Sequence, residues 1–98
     1  MAVDHREPLL AAAAATGAWR AISEGGVYNF VAWGTWNGAT AQLQWSPDGG
    51  TTAIDIDAAS LTANGGWSGI PLARGHARCA ISGAGGSTSI SARLDGVS

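Results

Sequence analysis

The sequence predicts an all-β chain folded as one small antiparallel sandwich. Three observations carry this. From residue 18 onward Gly, Ser, Thr and β-branched residues dominate. Turn clusters recur at roughly ten-residue intervals, the spacing of a sandwich or barrel. Several segments between them alternate apolar and polar residues with period two, as a strand with one buried face does.

The elements follow in order. Residues 1–16 differ from the rest and are read as an N-terminal arm, flexible or docked on a partner, with 17–98 as the sandwich. Pro8 can open a first helical turn and Leu9 to Ala15 are good helix formers, although so short a helix is marginal alone. About seven strands are expected. They run Ala18 to Ser23, Val27 to Trp33, Ala39 to Trp45, Thr51 to Asp57, Trp67 to Leu72, Ala77 to Ser82 and Thr88 to Leu94. In the second, Tyr28, Phe30 and Ala32 share one face and Val27, Val31 and Trp33 the other, so both faces are apolar. In the third, Ala41, Leu43 and Trp45 oppose Thr40, Gln42 and Gln44. Ile54 and Ile56 are expected to face inward, with Asp55 and Asp57 toward water. Ser46-Pro47-Asp48-Gly49-Gly50 is a strong hairpin turn. Ala58 to Gly66 reads as a polar connection with one helical turn at its start, and Gly83 to Gly86 as a hairpin turn.

Composition narrows function. The chain has 98 residues, one domain's worth, and buries only roughly 60–65% of its unfolded surface. Charged residues make up 12%, about half the usual share of roughly 25%, which suggests that part of the surface is covered in use. The five basic residues are all Arg, scattered, on a chain of net charge −2. No basic patch exists to bind phosphate, so nucleic acid is not an expected partner. The apolar run Leu9 to Ala15 is too short to span a bilayer and lacks a basic lead-in, so neither a membrane anchor nor a secretory signal is read. Cys79 is the single cysteine and falls in an alternating apolar stretch, as a buried inert thiol does.

No catalytic or metal-binding constellation emerges, and no cofactor is expected. His76, Asp57 and a serine make a Ser–His–Asp set on paper, but nothing singles out one serine; His5 lies in the arm. Asp48, Asp55 and Asp57 are oxygen donors suited to calcium, yet a charged strand face that prevents edge pairing explains the last two as well. Gly83-Ala84-Gly85-Gly86 lacks the Lys and following helix of a phosphate loop. Five tryptophans remain. Trp45 follows a core face, and Trp33 belongs to the core or an interface. Trp36 and Trp67 sit beside glycine turns, where they either fold back to cap a thin sandwich or anchor a protein interface. With Leu9 and Leu10 of the arm, they form the candidate interface set.

Two local patterns resemble known proteins. Ser46-Pro47-Asp48-Gly49-Gly50-Thr51-Thr52 resembles the Asp-box hairpin of sialidase-like propellers, with Ala53 standing where that motif ends in an aromatic. More broadly, Gly25-Gly26-Val27-Tyr28-Asn29-Phe30, then Gly34-Thr35-Trp36-Asn37-Gly38-Ala39-Thr40-Ala41-Gln42-Leu43-Gln44-Trp45-Ser46-Pro47-Asp48-Gly49-Gly50-Thr51-Thr52, with Leu61-Thr62-Ala63-Asn64-Gly65 and Arg78-Cys79-Ala80-Ile81-Ser82-Gly83, resemble segments of small virion proteins of tailed bacteriophages. The resemblance covers roughly residues 18–95. It implies a capsid decoration (cement) or head-fibre protein, a jelly-roll-like sandwich and a homotrimer. The implied partner is the major capsid protein or another virion protein, met at the capsid surface after synthesis in the host cytoplasm. The other reading is a carbohydrate- or surface-binding module of a phage fibre or tail. In either, the chain acts by contact and not as an enzyme.

Overall fold

The computed structural model describes residues 6–23 and 25–96. Eight strands appear among them: β1 (Arg6–Ala13), β2 (Arg20–Ile22), β3 (Gly26–Thr35), β4 (Thr40–Ser46), β5 (Ile54–Leu61), β6 (Gly65–Leu72), β7 (Gly75–Ser82) and β8 (Ser89–Gly96). They form two four-stranded sheets, β1-β8-β3-β6 and β2-β7-β4-β5, in which every pairing is antiparallel.

Period-two patterning builds the core. Tyr28, Phe30 and Ala32 of β3, Ala41 and Leu43 of β4, Ala77 and Cys79 of β7, and Ile90, Ala92 and Leu94 of β8 are all essentially inaccessible to water. Each sheet contributes its inward face to one apolar layer, the arrangement that lets two half-polar sheets bury their apolar sides. Ile22, Ile70 and Leu72 extend the layer toward the sheet edges.

The expected helical turn after Pro8 is replaced by strand β1, which pairs with β8. Helix propensity among alanines is worth tenths of a kcal/mol per residue. Burying two leucines outweighs it, at about 2 kcal/mol each. Pro8 is tolerated because β1 is an edge strand. Register shifts on either side of Leu10 allow the consecutive Leu9 and Leu10 both to reach the core, which strict alternation forbids. Ala12 takes up the second shift with a φ of 48°, and its N–H donates to Ser91 Oγ at 3.1 Å. The part of the expected arm before Arg6 lies outside the described residues.

Two more expectations are corrected. Residues 58–61 are strand, not a helical turn. The register jumps from Gln42↔Ser60 to Gln44↔Asp55, so β5 bulges widely opposite a single residue of β4. The Gln42 carboxamide fills that bulge, donating to Ile56 O at 2.7 Å and Ala59 O at 3.3 Å. Ala59 is thereby buried, whereas Ile54, expected inside, is 44% exposed at the strand's start. The link at 83–88 is not a hairpin turn, because β7 and β8 belong to different sheets; it carries the chain across the sandwich end.

Candidate functional site

The two outer faces of the sandwich differ. On the β2-β7-β4-β5 face a polar ladder crosses the sheet. Gln44 of β4 lies directly opposite Arg78 of β7 and Asp55 of β5. Its carboxamide oxygen accepts from Arg78 Nε and its Nε2 donates to Asp55 Oδ1, both at 2.7 Å. The Arg78 guanidinium also stacks 4.4 Å from the centre of the Trp19 ring, a cation–π contact. Trp19 in turn lies against Gly50. That glycine has a φ of +111°, and a Cβ there would come within 2.6 Å of the indole, so Gly is required.

The turn under Trp19 is self-contained. Ser46 Oγ donates to Asp48 Oδ1 at 2.7 Å and accepts from Gly50 N at 2.8 Å. Asp48 Oδ1 accepts from Thr52 N at 2.8 Å, and Oδ2 from Thr52 Oγ1 at 2.7 Å. Hydrogen bonds from the Thr52 backbone and hydroxyl, then from Ser46, stabilise the carboxylate and lower its pKa to about 2. This is the physical content of the Asp-box resemblance: a hairpin locked by a serine, an aspartate and a threonine. Ser46 lies opposite His76 across β4 and β7, but its proton is committed to Asp48, so His76 has no hydroxyl there to activate.

At one end of the sandwich a second set of motif residues meets. Asn64 Oδ1 accepts from Trp36 Nε1 at 2.7 Å and from Gly34 N at 2.9 Å. Thr88 Oγ1 donates to Trp36 O at 3.0 Å and accepts from Gly85 N at 2.9 Å. Trp36 is partly buried against the core and caps this end. Trp67 reaches from β6 to the other sheet, donating from Nε1 to Ser60 O of β5 at 3.0 Å, while 43% of it stays exposed. It closes the open side between the two edge strands. Both tryptophans of the candidate set therefore cap the sandwich.

Leu9 and Leu10, the other two members, are 3% and 7% exposed and sit in the core. They hold β1 to the sandwich and present no surface to a partner. Trp45 is half-buried, packed against the core, and donates to Ala73 O at 3.1 Å. Cys79 is fully buried, and desolvation pushes its thiol up to about 12. Among the described residues no group of His, Cys, Asp and Glu is placed to hold a metal ion, and the described surface carries no pocket. No described helix is long and apolar enough to cross a membrane.

The β1-β8-β3-β6 face is the open one. The outward positions of β3 are Val27, Asn29, Val31 and Trp33, and Trp33 is 44% exposed. Arg93 of β8 holds its guanidinium 5.9 Å from the Trp33 ring and ion-pairs with Asp95 at 2.9 Å. Sequence reasoning noted Trp33 only as core or interface and passed over Arg93 and Asp95. The signal was there: Arg93 and Asp95 lie two apart on an alternating strand and share its outer face.

No family model, curated protein or solved structure matches the chain.

Proposed function

We propose that this chain is a structural protein of a tailed-phage virion, a capsid decoration protein that stabilises the assembled shell by contact. One observation carries the reading. Of the segments that resemble phage virion proteins, the stretch 34–52 is tied through space to both later ones: Trp36 to Asn64, and Gln44 to Arg78 beside the Ser46–Asp48–Thr52 turn. The motif residues are the fasteners of a rigid wall, the part that such proteins would share. The strand order β1-β8-β3-β6 over β2-β7-β4-β5 supports a jelly roll, an architecture common in capsid proteins. The low charge supports subunit faces that are covered in a homotrimer.

Binding the assembled shell but not its free subunits shifts the equilibrium toward the shell by mass action. The partner in this reading is the major capsid protein, and the site of action is the capsid surface. The residues before Arg6 would add to the attachment. The test is cosedimentation with a panel of undecorated tailed-phage heads and with their unassembled capsid subunits. Saturable binding to one head type and not to its free subunits is expected; binding to no head overturns the proposal.

A fibre- or tail-borne module that binds carbohydrate is the second reading, favoured by the exposed rings of Trp33 and Trp67. It predicts quenching of tryptophan fluorescence by host surface glycans, lost in Trp33→Ala.

A further inference from the structure

We infer that β1 is an exchangeable strand: where copies of this chain are crowded, the Arg6–Ala13 segment of one docks on β8 of the next and ties the two together. This deepens the oligomeric part of the proposed function and rests on it for the close packing of copies. How firmly each strand is held decides which one can leave. β3 pairs with β8 in unbroken register from Tyr28 to Thr35. β1 pairs with the other edge of β8 in pieces, with register shifts between Pro8 and Leu10 and between Leu10 and Ala13. Pro8 has no N–H to give. Ala12 turns its N–H to Ser91 Oγ, from a φ of 48° that strains a residue with a Cβ. An edge strand paired this irregularly belongs to the low-stability end of the fold, and β8 stays in the sheet through β3 when β1 opens.

The place that β1 leaves does not stay empty. Leu9 and Leu10 are core side chains, so opening exposes their apolar surface and that of the residues they cover. It also turns β8 into an unpaired edge, a template for another strand. The segment that fits this gap is the one that fills it in the structure. β1 of a second copy has the same sequence, makes the same ladder with β8 and buries the same two leucines.

The hinge is a two-residue corner. Ala13 is the last residue of β1 in register with β8. By Thr16 the chain is already fixed to the other sheet: Thr16 Oγ1 accepts from Ile81 N, and Gly17 N donates to Cys79 O, both on β7. Between them Ala14 and Ala15 bend, exposed, from one sheet to the other. Straightening these two residues carries β1 away from its own body and leaves the rest of the sandwich as it is. Closed and exchanged forms share every other contact, so the corner and the concentration of copies set the balance between them. A tether this short holds β1 at an effective concentration in the millimolar range. Exchange therefore belongs to copies packed as densely as on a shell, and the dilute chain is closed.

The experiment traps the exchanged strand with a disulfide. Pro8 and Arg93 face each other across the β1–β8 ladder. Opposed Cα atoms of antiparallel strands lie about 4.5–5.5 Å apart, which a disulfide can bridge. P8C and R93C are made in separate chains, so no link between them forms within one chain; Cys79 is buried and stays in place. Each variant alone, and the equimolar mixture, is incubated at millimolar and at micromolar concentration and oxidised while folded. Free thiols are then blocked and the chains run on a non-reducing denaturing gel. At millimolar concentration the mixture should give a covalent heterodimer of twice the 9.8 kDa chain mass, lost at micromolar concentration, while neither variant alone links. Deleting Ala14 and Ala15 from both chains removes the corner and should bring the heterodimer down to micromolar concentration. A mixture that stays unlinked at millimolar concentration, or links no better than either variant alone, overturns the inference whatever the deletion variants do. Chains that exchange but bind no phage head leave the inference standing and remove the virion reading; chains that bind heads and never exchange do the reverse.

Discussion

Asp48 accepts hydrogen bonds from Ser46 Oγ, Thr52 N and Thr52 Oγ1, and these favour its ionised form. Its pKa is about 2 in the folded chain against 3.8 for a free aspartate. The turn's contribution to stability is therefore fully present above about pH 4 and is lost as pH falls through 2. Melting temperature should drop across that window in the wild type, and the drop should shrink in Asp48→Ala; an equal drop in both contradicts the assignment. Asn64 serves two donors with one oxygen. Asn64→Ala leaves both Trp36 Nε1–H and Gly34 N–H to solvent in place of that acceptor and should cost about 0.5–1.5 kcal/mol in a denaturant titration. Gly34 has a φ of +139°, and a Cβ there would collide with the Ser89 carbonyl. Gly34→Ala should destabilise by more than the ~1 kcal/mol that glycine costs an ordinary strand. Cys79 should resist thiol reagents in the folded chain and react at once in denaturant, since burial holds its thiol near 12.

Strands were legible where alternation was clean. The core positions of β3, β4, β7 and β8 are the residues that period two selects. The misses share a cause, an extra residue in the ladder. In β1 two register shifts put Leu9 and Leu10 both inside, and with Pro8 and an alanine run the segment reads as a helix or an arm. In β5 the wide bulge at 56–59 breaks the alternation that would have marked Ser60 and Leu61 as strand. A bulge costs no special residue here, so sequence carries no mark of it. The candidate site was half legible. Trp36 and Trp67 could be singled out by their glycine neighbours, but whether they cap or protrude depends on Asn64 and Ser60, which are distant in sequence. Since β1 is part of the sheet, Leu9→Ala and Leu10→Ala should each cost about 2–5 kcal/mol, read as a shift in the urea midpoint. A change under 0.5 kcal/mol in both would mean that β1 is not docked in solution.

At the scale of the molecule, the division of labour lies between two sheet faces. One is fastened to itself by the Trp19–Arg78–Gln44–Asp55 ladder and the locked Ser46–Asp48–Thr52 turn. The other shows Trp33, with Arg93 near its ring and ion-paired to Asp95. Trp36, which caps one end with Asn64 and Thr88, and Trp67, which closes the side between β5 and β6, stiffen a core that is thin for lack of residues. Stiffness of this kind suits a protein whose proposed work is contact, because a surface that is already ordered loses less entropy on docking.

The measurement closest to the central claim is the heat stability of undecorated phage heads with and without saturating amounts of this protein. The account predicts that heads of the matching phage release their DNA at a higher temperature when the protein is bound, in proportion to occupancy. Heads that bind the protein yet rupture at an unchanged temperature would contradict it.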